Sequence, residues 1–294
     1  MAQLELKNGG EFNIIQADLI LSTGKVVGLT ASIMGLSIFE GINQFTITGT
    51  ITIQDAFNLA SFGPILGQEY LSLKIATPNF RGQDNTIDYS DNPLMVTSID
   101  DRVDIGNGVQ ASTMTFCSRE FVVNQRARVR RTLVGSYSGI VTTMLTDDKD
   151  GLGTKKKLNI EPSIDNKKMT APNCKPLDVI AIATKNAVSQ EFAASTYFFW
   201  ESTKEFNFRT LGNMYSQLPV MTYQSSTAGT RTNDGVRDIM AELSAIEGYR
   251  ITSSPDTIWN YATGIFSSEL IVHDIISKSY EKHTYKYSDN FSNE

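Results

Sequence analysis

Apolar and polar residues alternate along much of residues 1–117, and this pattern predicts a succession of β-strands. The strictest run is "QFTITGTITIQDA", which places one set of residues on a single strand face: Phe45, Ile47, Gly49, Ile51 and Ile53. Four threonines occupy the opposite face, as is typical of a strand rich in β-branched residues. A slip near Gln16–Asp18 predicts a bulge or turn, and polar residues 78–93 predict a surface loop or long hairpin tip. Roughly six such strands predict a small antiparallel barrel or sandwich.

Helical spacing of apolar residues replaces the alternation after Ser118. "SYSGIVTTMLTDD" predicts a short helix capped by Ser136 or Ser138, and "KPLDVIAIATKNAVSQ" predicts a second helix with Pro176 in its first turn. "AASTYFFWESTKEFNFRTL" predicts two aromatic-rich strands joined by the polar turn "STKE". Residues 118–211 are therefore predicted to form an α+β domain inserted between two β regions.

The remaining residues, 212–294, combine a predicted helix with a second set of strands. The helix has Asp234 as its N-cap and ends at Gly248, after which the alternation predicts about three or four strands. So few strands cannot close a barrel, and we expect this β-domain to need a partner subunit or a longer natural chain. The predicted domains are thus a β-barrel domain (1–117), an α+β insertion domain (118–211) and a second β-domain that is incomplete as it stands (212–294).

Composition and charge exclude several classes of protein. The formal net charge of −6 argues against a general nucleic-acid binder, which needs a basic excess to displace counterions. The two cysteines have no CxxC spacing, so we expect no disulfide scaffold and production in a reducing compartment. The first residues lack the basic and apolar regions of a secretory signal, and no apolar run is long enough to predict a membrane span.

Candidate catalytic and metal-binding patterns are weak throughout the sequence. No GxSxG, P-loop, dinucleotide fingerprint or HExxH motif is present, and we expect no enzyme activity, no cofactor and no metal site. "SIDDRVD" clusters three aspartates but lacks the glycine and glutamate of an EF-hand loop, so a solvated strand end is the preferred interpretation. His273 and His283 lack a third ligand for a metal ion, and Cys117 and Cys174 are expected to be unreactive.

The basic run "QRARVRR" stands out in an acidic chain. In a strand, its alternating arginines would place three guanidinium groups on one face. Three interpretations stay open: a solvated strand face, a subunit interface where guanidinium groups meet a neighbour's carboxylates, and contact with nucleic acid. The candidate functional site is the interface, formed by Arg126, Arg128, Arg130 and Arg131.

Three stretches, in this order, resemble the central baseplate hub protein of contractile-tailed bacteriophages of the myovirus type. The first is "FEGINQFTITGTITIQDAFNLASFGPILGQEYLSLKI", and the second is "REFVVNQRARVRRTLVGSYSGIVTTML", interpreted as a basic strand running into a capped helix. The third combines "KPLDVIAIATKNAV" with the aromatic hairpin, and "NYATGIFSSELIVHDIISKSYEKHTYKYSDNF" is similar to the start of a second tube domain.

This resemblance implies a mainly β fold in which two tube-type antiparallel β-barrel domains flank the small α+β domain. It also implies a homotrimeric ring in the virion tail baseplate, made in the host cytoplasm, that joins a sixfold tail tube to a threefold central spike. The expected partners are the spike, tail-tube or tube-initiator proteins and baseplate wedge proteins. DNA would pass through the lumen without specific contact, and no membrane anchor is expected. The sequence departs from the family in its short second tube domain.

Two alternative functions remain open at the level of sequence. A carbohydrate-binding or adhesin module would use exposed aromatic residues, for which the candidates are Trp200, Trp259 and Tyr261. A hydrolase would use carboxylates as acid and base, and the candidates are Asp100, Asp101 and Glu201.

Overall fold

The computed structural model describes residues 12–55, 67–80, 83–106, 109–164, 166–192, 195–219, 221–225, 244–246, 248–251 and 256–290. The described residues fall into two compact units, one ending at residue 219 and the other beginning at residue 221. The predicted mainly β fold with an α+β insertion is confirmed. In the described residues, no helix is long and apolar enough to cross a membrane.

A large antiparallel sheet occupies the described part of residues 1–117. Its strands are β1 (Asn13–Ile20), β2 (Val26–Gly28), β3 (Ile33–Phe39), β4 (Thr48–Asp55), β5 (Tyr70–Phe80), β6 (Gln83–Asp88), β7 (Leu94–Gly106) and β8 (Val109–Cys117). They are hydrogen-bonded in the order β2–β1–β5–β7–β8–β4–β3, with β6 paired to β5. The predicted slip in β1 is a register shift between Ile14 and Gln16, and the hairpin predicted in residues 78–93 joins β5 to β6.

One core joins the strands of this sheet, because alternate residues of each strand point to the same side. It includes Ala17, Leu19, Ile51, Ile53, Leu71, Leu73, Leu94, Val96, Met114 and Phe116. Gly49 shares this face of β4, where the ring of Phe116 fills the space that a side chain would need. A Cβ atom at Gly49 would lie 2.4 Å from that ring. Phe45 precedes β4 and packs against a different core, with its ring centroid 5.6 Å from that of Phe199.

The α+β region follows β8 directly. Its elements are α1 (Arg119–Arg126), β9 (Thr132–Gly135), α2 (Tyr137–Thr146), β10 (Lys157–Ile160), β11 (Lys167–Thr170), α3 (Pro176–Asn186), β12 (Tyr197–Glu201), β13 (Glu205–Thr210) and α4 (Leu211–Tyr215). Strands β10, β13 and β12 form one sheet, in which β10 runs parallel to β13, and β9 pairs with β11.

Local sequence explains why α2 and α3 form where they do. The Ser136 hydroxyl caps α2 by accepting a hydrogen bond from the Gly139 N–H at 3.1 Å. Pro176 occupies the first turn of α3, and the apolar faces of both helices pack into the core of the region. The aromatic hairpin β12–β13 completes that core with Tyr197 and Phe199, which are buried.

The second unit contains α5 (Thr257–Ala262), β14 (Ser267–Asp274), β15 (Ser279–Lys286) and α6 (Tyr287–Asn290). Strands β14 and β15 form an antiparallel hairpin in continuous register from Ser267↔Lys286 to Asp274↔Ser279. In the described residues, this hairpin pairs with no further strand. The helix predicted between Asp234 and Gly248 lies mostly outside the described residues.

The prediction of strands is wrong for two segments, "REFVVNQR" and residues 257–262, which both form helices. The sequence "REFVVNQR" forms helix α1, because Glu120 and Asn124 lie four residues apart and are buried on one helix face. Residues 257–262 form helix α5, which begins after Asp256, whose carboxylate accepts the Trp259 N–H at 3.0 Å. Burial of two side chains therefore outweighs local alternation in α1, and capping by Asp256 outweighs it in α5.

Candidate functional site

The basic run spans a helix end and an extended segment rather than one strand. Arg126 lies in the last turn of α1, where a cation favourably meets the negative end of the helix dipole. Beyond the helix, Val129 is fully buried and forms a bridge with Cys174, through hydrogen bonds of 2.8 and 3.2 Å. Arg128 and Arg130 flank this buried valine, so the predicted alternation holds only from Arg128 to Arg130.

The four predicted interface arginines have different environments. Arg128 donates from Nη1 to the carbonyl oxygens of Gln125 and Ala127, at 2.9 and 2.7 Å. Arg130 is exposed and donates from Nε to Asn173 Oδ1 at 2.7 Å. Arg126 is exposed as well.

Arg131 is the exception among these arginines, since it pairs with carboxylates of its own chain. It forms an ion pair with Asp147 and a longer one, at 3.7 Å, with Asp150. Hydrogen bonds from the Lys149 N–H and from Arg131 hold the pKa of Asp147 below its usual value. Arg131 therefore stabilises the turn that follows α2.

Sequence analysis missed a fourth cation of this surface, Lys175. Its Nζ donates to Gln125 Oε1 at 2.6 Å, beside the carbonyl that accepts from Arg128. The pairing of Val129 with Cys174 brings Lys175 close, and no local sequence signal indicates that long-range pairing. We refer to Arg126, Arg128, Arg130 and Lys175 as the basic cluster.

A buried ion pair connects the α+β region to the large sheet. Lys156 Nζ donates to Glu201 Oε1 at 2.6 Å, and the N–H of Ile47, the residue before β4, donates to Glu201 Oε2 at 2.8 Å. Both charged side chains are almost completely buried. Burial raises the pKa of Glu201, while the Lys156 ammonium opposes that rise. Both oxygens of the Glu201 carboxylate thus make structural contacts inside the protein.

A cleft of about 180 Å³ lies beside this ion pair. Its lining includes Asp91, Ser118, Glu120 and Lys155. The Ser118 hydroxyl has no hydrogen-bond partner among the described residues, so no base activates it as a nucleophile. The cleft thus mixes both signs of charge without a catalytic arrangement.

The other candidate residues of the sequence are spread over the structure. Asp100, Asp101 and Asp104 are exposed on β7. His273 lies opposite Tyr280 and His283 opposite Leu270, so the two histidines are not cross-strand neighbours. In the described residues, no group of three or more His, Cys, Asp or Glu side chains is placed to hold a metal ion. Burial raises the pKa of the Cys117 thiol to about 12, which suppresses its reactivity.

The aromatic residues proposed for a carbohydrate site belong to different units and differ in exposure. Trp200 is half-buried on β12. Trp259 and Tyr261 are exposed, but they lie two positions apart on helix α5, where such side chains face different directions. Tyr261 also packs on Phe266, at a centroid distance of 5.0 Å.

The hairpin β14–β15 exposes apolar side chains on both of its faces. Every residue of β14 is exposed, including Leu270 and Val272 on one face and Ile271 on the other. The turn that follows adds Ile276, which is 96% exposed. A two-stranded hairpin is at best marginally stable in water, and large exposed apolar surfaces mark interaction sites.

No protein-family model and no curated protein matches this chain. Solved structures similar to it include three tail proteins. One is the prophage tail protein gp18 from Listeria monocytogenes EGD-e, with 9% identity, a TM-score of 0.46 and coverage of 94% of this chain and 69% of that chain. A second is the tail protein from Neisseria meningitidis MC58, with 12% identity and a TM-score of 0.49. That match covers 92% of this chain and 67% of the Neisseria chain. The third is the 43 kDa tail protein of prophage MuSo2 from Shewanella oneidensis, with 10% identity and a TM-score of 0.48. In that case the match covers 74% of this chain but only 58% of the other, less than two thirds of its length.

Proposed function

We propose that this chain is a structural subunit of a phage tail baseplate hub, in which three copies form a ring between the sixfold tail tube and the threefold central spike. DNA passes through the lumen of this ring without specific contact. The proposal extends the sequence resemblance to baseplate hub proteins. It also places the protein in the virion tail, with spike, tail-tube or tube-initiator and wedge proteins as its neighbours.

The observation that carries the proposal is the exposed apolar hairpin of the second unit. In residues 256–290, eleven large apolar or aromatic side chains are more than a third exposed. Three of them, Leu270, Ile271 and Val272, lie on β14 and occupy both of its faces. Fully burying a leucine or isoleucine side chain contributes roughly 1.5–3 kcal/mol. A hairpin with this surface gains its stability from a partner, as a subunit of a β-rich ring does.

The experiment is a mass measurement by light scattering on the purified full chain, with negative-stain images of the same peak. A ring of three chain masses with threefold symmetry supports the proposal. The matched pair of variants is Leu270→Lys/Val272→Lys, on one face of β14, and Thr132→Lys/Thr170→Lys, on an exposed polar pair of the α+β region. We expect only the first pair to weaken the assembly.

A strictly monomeric wild-type chain that is retained on a glycan column would contradict the proposal. That result would favour the carbohydrate-binding alternative. Unchanged assembly of the Leu270→Lys/Val272→Lys variant would remove the observation on which the proposal depends.

A further inference from the structure

Charge is unevenly divided along this chain. Residues 118–211 contain 15 Lys and Arg against 10 Asp and Glu, a net charge of +5. Residues 1–117 contain 5 against 12, a net charge of −7. Two copies of such a chain repel each other when like regions meet and attract each other when the basic region of one meets the acidic region of the next.

The basic cluster is the concentrated part of this positive region. Hydrogen bonds to neutral oxygens of Gln125, Ala127 and Asn173 hold three of its side chains in place, those of Arg128, Arg130 and Lys175. The fourth, Arg126, is exposed at the end of α1. None of the four cations of the basic cluster forms an ion pair with a carboxylate of the described residues, in contrast to Arg131. A pre-positioned group of unpaired cations is complementary to carboxylates supplied from outside the chain.

A matching acidic surface lies on β7, in the segment that sequence analysis had noted for its aspartates. Asp100, Asp101 and Asp104 are all exposed, and no cation of the described residues pairs with them. Asp100 accepts the Ser98 hydroxyl and Asp104 accepts the Gly106 N–H, each at 2.8 Å, which orients both carboxylates. The strand is irregular here, with a register shift between Asp100 and Val103 and a positive φ of 53° at Asp101. We refer to the three aspartates as the acidic edge.

We propose that the basic cluster of one chain docks on the acidic edge of a second copy, in a head-to-tail contact. The proposal rests on the assembly proposed above and specifies one of its interfaces. Because the two surfaces differ, the contact is heterologous, and a heterologous contact forms a ring when its repeated rotation closes after a whole number of copies. Nucleic acid fits the cluster less well, since a chain with a net charge of −6 repels phosphates and residues 124–131 contain no aromatic side chain for base stacking.

The test is a charge swap in the full chain, read by sedimentation velocity over a range of concentrations. One variant carries Arg126→Glu and Arg130→Glu, another carries Asp100→Lys and Asp104→Lys, and a third combines all four changes. All four positions are exposed, so the changes leave the cores intact. The control is Lys149→Glu with Lys168→Glu, two exposed lysines of the same region outside the cluster.

We expect each two-site reversal to weaken association at least tenfold, and the four-site swap to restore it to within about threefold of wild type. Reversals that weaken association no more than the control overturn the head-to-tail contact and leave the proposed assembly standing. A wild-type chain that stays monomeric at every concentration overturns both proposals. A cluster reversal that leaves association unchanged but abolishes binding of a short DNA duplex overturns the contact in favour of nucleic acid.

Discussion

Replacing Lys156 by methionine tests whether the buried ion pair stabilises the junction between the large sheet and the α+β region. The substitution keeps most of the side-chain volume but leaves the Glu201 carboxylate buried without its ammonium partner, which lies 2.6 Å away in the wild type. Removing one member of a buried ion pair costs about 3–5 kcal/mol, because the remaining charge is uncompensated. The Ile47 N–H still donates to Glu201 in the variant. We therefore expect the free energy of unfolding to fall by about 3 kcal/mol, near the lower end of that range.

The loss of unfolding free energy in Lys156→Met should depend on pH, because Glu201 is a buried titratable group. Burial already raises the pKa of Glu201, and removing Lys156 removes the group that opposes the rise. When the pKa of a carboxyl group is higher in the folded state than in the unfolded state, the protein loses stability as the pH rises through the pKa of the folded state. The variant is therefore expected to be less destabilised at pH 5.5 than at pH 8.

The assay is urea unfolding, with the free energy of unfolding obtained from the fluorescence of Trp200, which neighbours Glu201 on β12. Because Trp259 also fluoresces, the measurements use Trp259→Phe as the common background. Lys155→Met is the matched control, since Lys155 is the exposed neighbour of Lys156 and has no described hydrogen bond. Losses below about 1 kcal/mol for Lys156→Met, equal to those of the control, would refute the reasoning. A larger loss at pH 5.5 than at pH 8 would refute the assigned charge of Glu201.

Three further predictions concern single sites of the large sheet. Gly49→Ala should destabilise the protein by about 1–3 kcal/mol in urea unfolding, because its Cβ would lie 2.4 Å from the Phe116 ring; a neutral effect would contradict the packing of β4. Cys117, whose pKa burial raises to about 12, should resist a thiol reagent at pH 8 in the folded protein and react in urea, whereas half-buried Cys174 should react faster than Cys117 in the folded protein. Equal reaction of the two thiols in the folded protein would contradict the burial of Cys117. A hydrogen bond from Lys74 holds the pKa of Asp88 at about 2. The contribution of Asp88 to the free energy of unfolding is therefore present above pH ~4 and lost as pH falls toward 2. Asp88→Asn should flatten that part of the pH–stability curve by less than about 1 kcal/mol, since the pair is partly exposed, and a steeper curve would contradict the assignment.

The parts of the fold that sequence predicts well are those in which one periodicity extends over many residues. Strand β4 and helices α2 and α3 belong to this class, because their spacing, caps and turn residues all indicate the same element. Helix α1 shows the limit. The alternating arginines that begin at its last residue suggest a strand, but Glu120 and Asn124 are buried on one face of a helix.

The candidate site was predictable only in its arginines. The bridge between Val129 and Cys174 brings Lys175 close to these arginines. Arg131 does not belong to the basic cluster, because it forms an ion pair with Asp147, which follows α2. Both effects depend on contacts between residues far apart in sequence. Local patterns identify which residue types are available, whereas tertiary pairing determines which of them remain without a counter-charge.

The two proposed contact surfaces differ in physical character, and salt can separate them. The hairpin β14–β15 exposes Leu270, Ile271 and Val272, and the burial of such apolar side chains does not weaken with ionic strength. The basic cluster and the acidic edge consist of exposed and partly exposed charges, whose attraction falls as the Debye length shortens from about 10 Å at 0.1 M to about 3 Å at 1 M salt. At 0.1 M salt the charge swap should therefore discriminate between variants. At 1 M salt all charge variants should associate equally, while Leu270→Lys/Val272→Lys should remain impaired. If association of the wild type disappears at 1 M salt, electrostatic contacts alone hold the copies together, and the hairpin is not an interface.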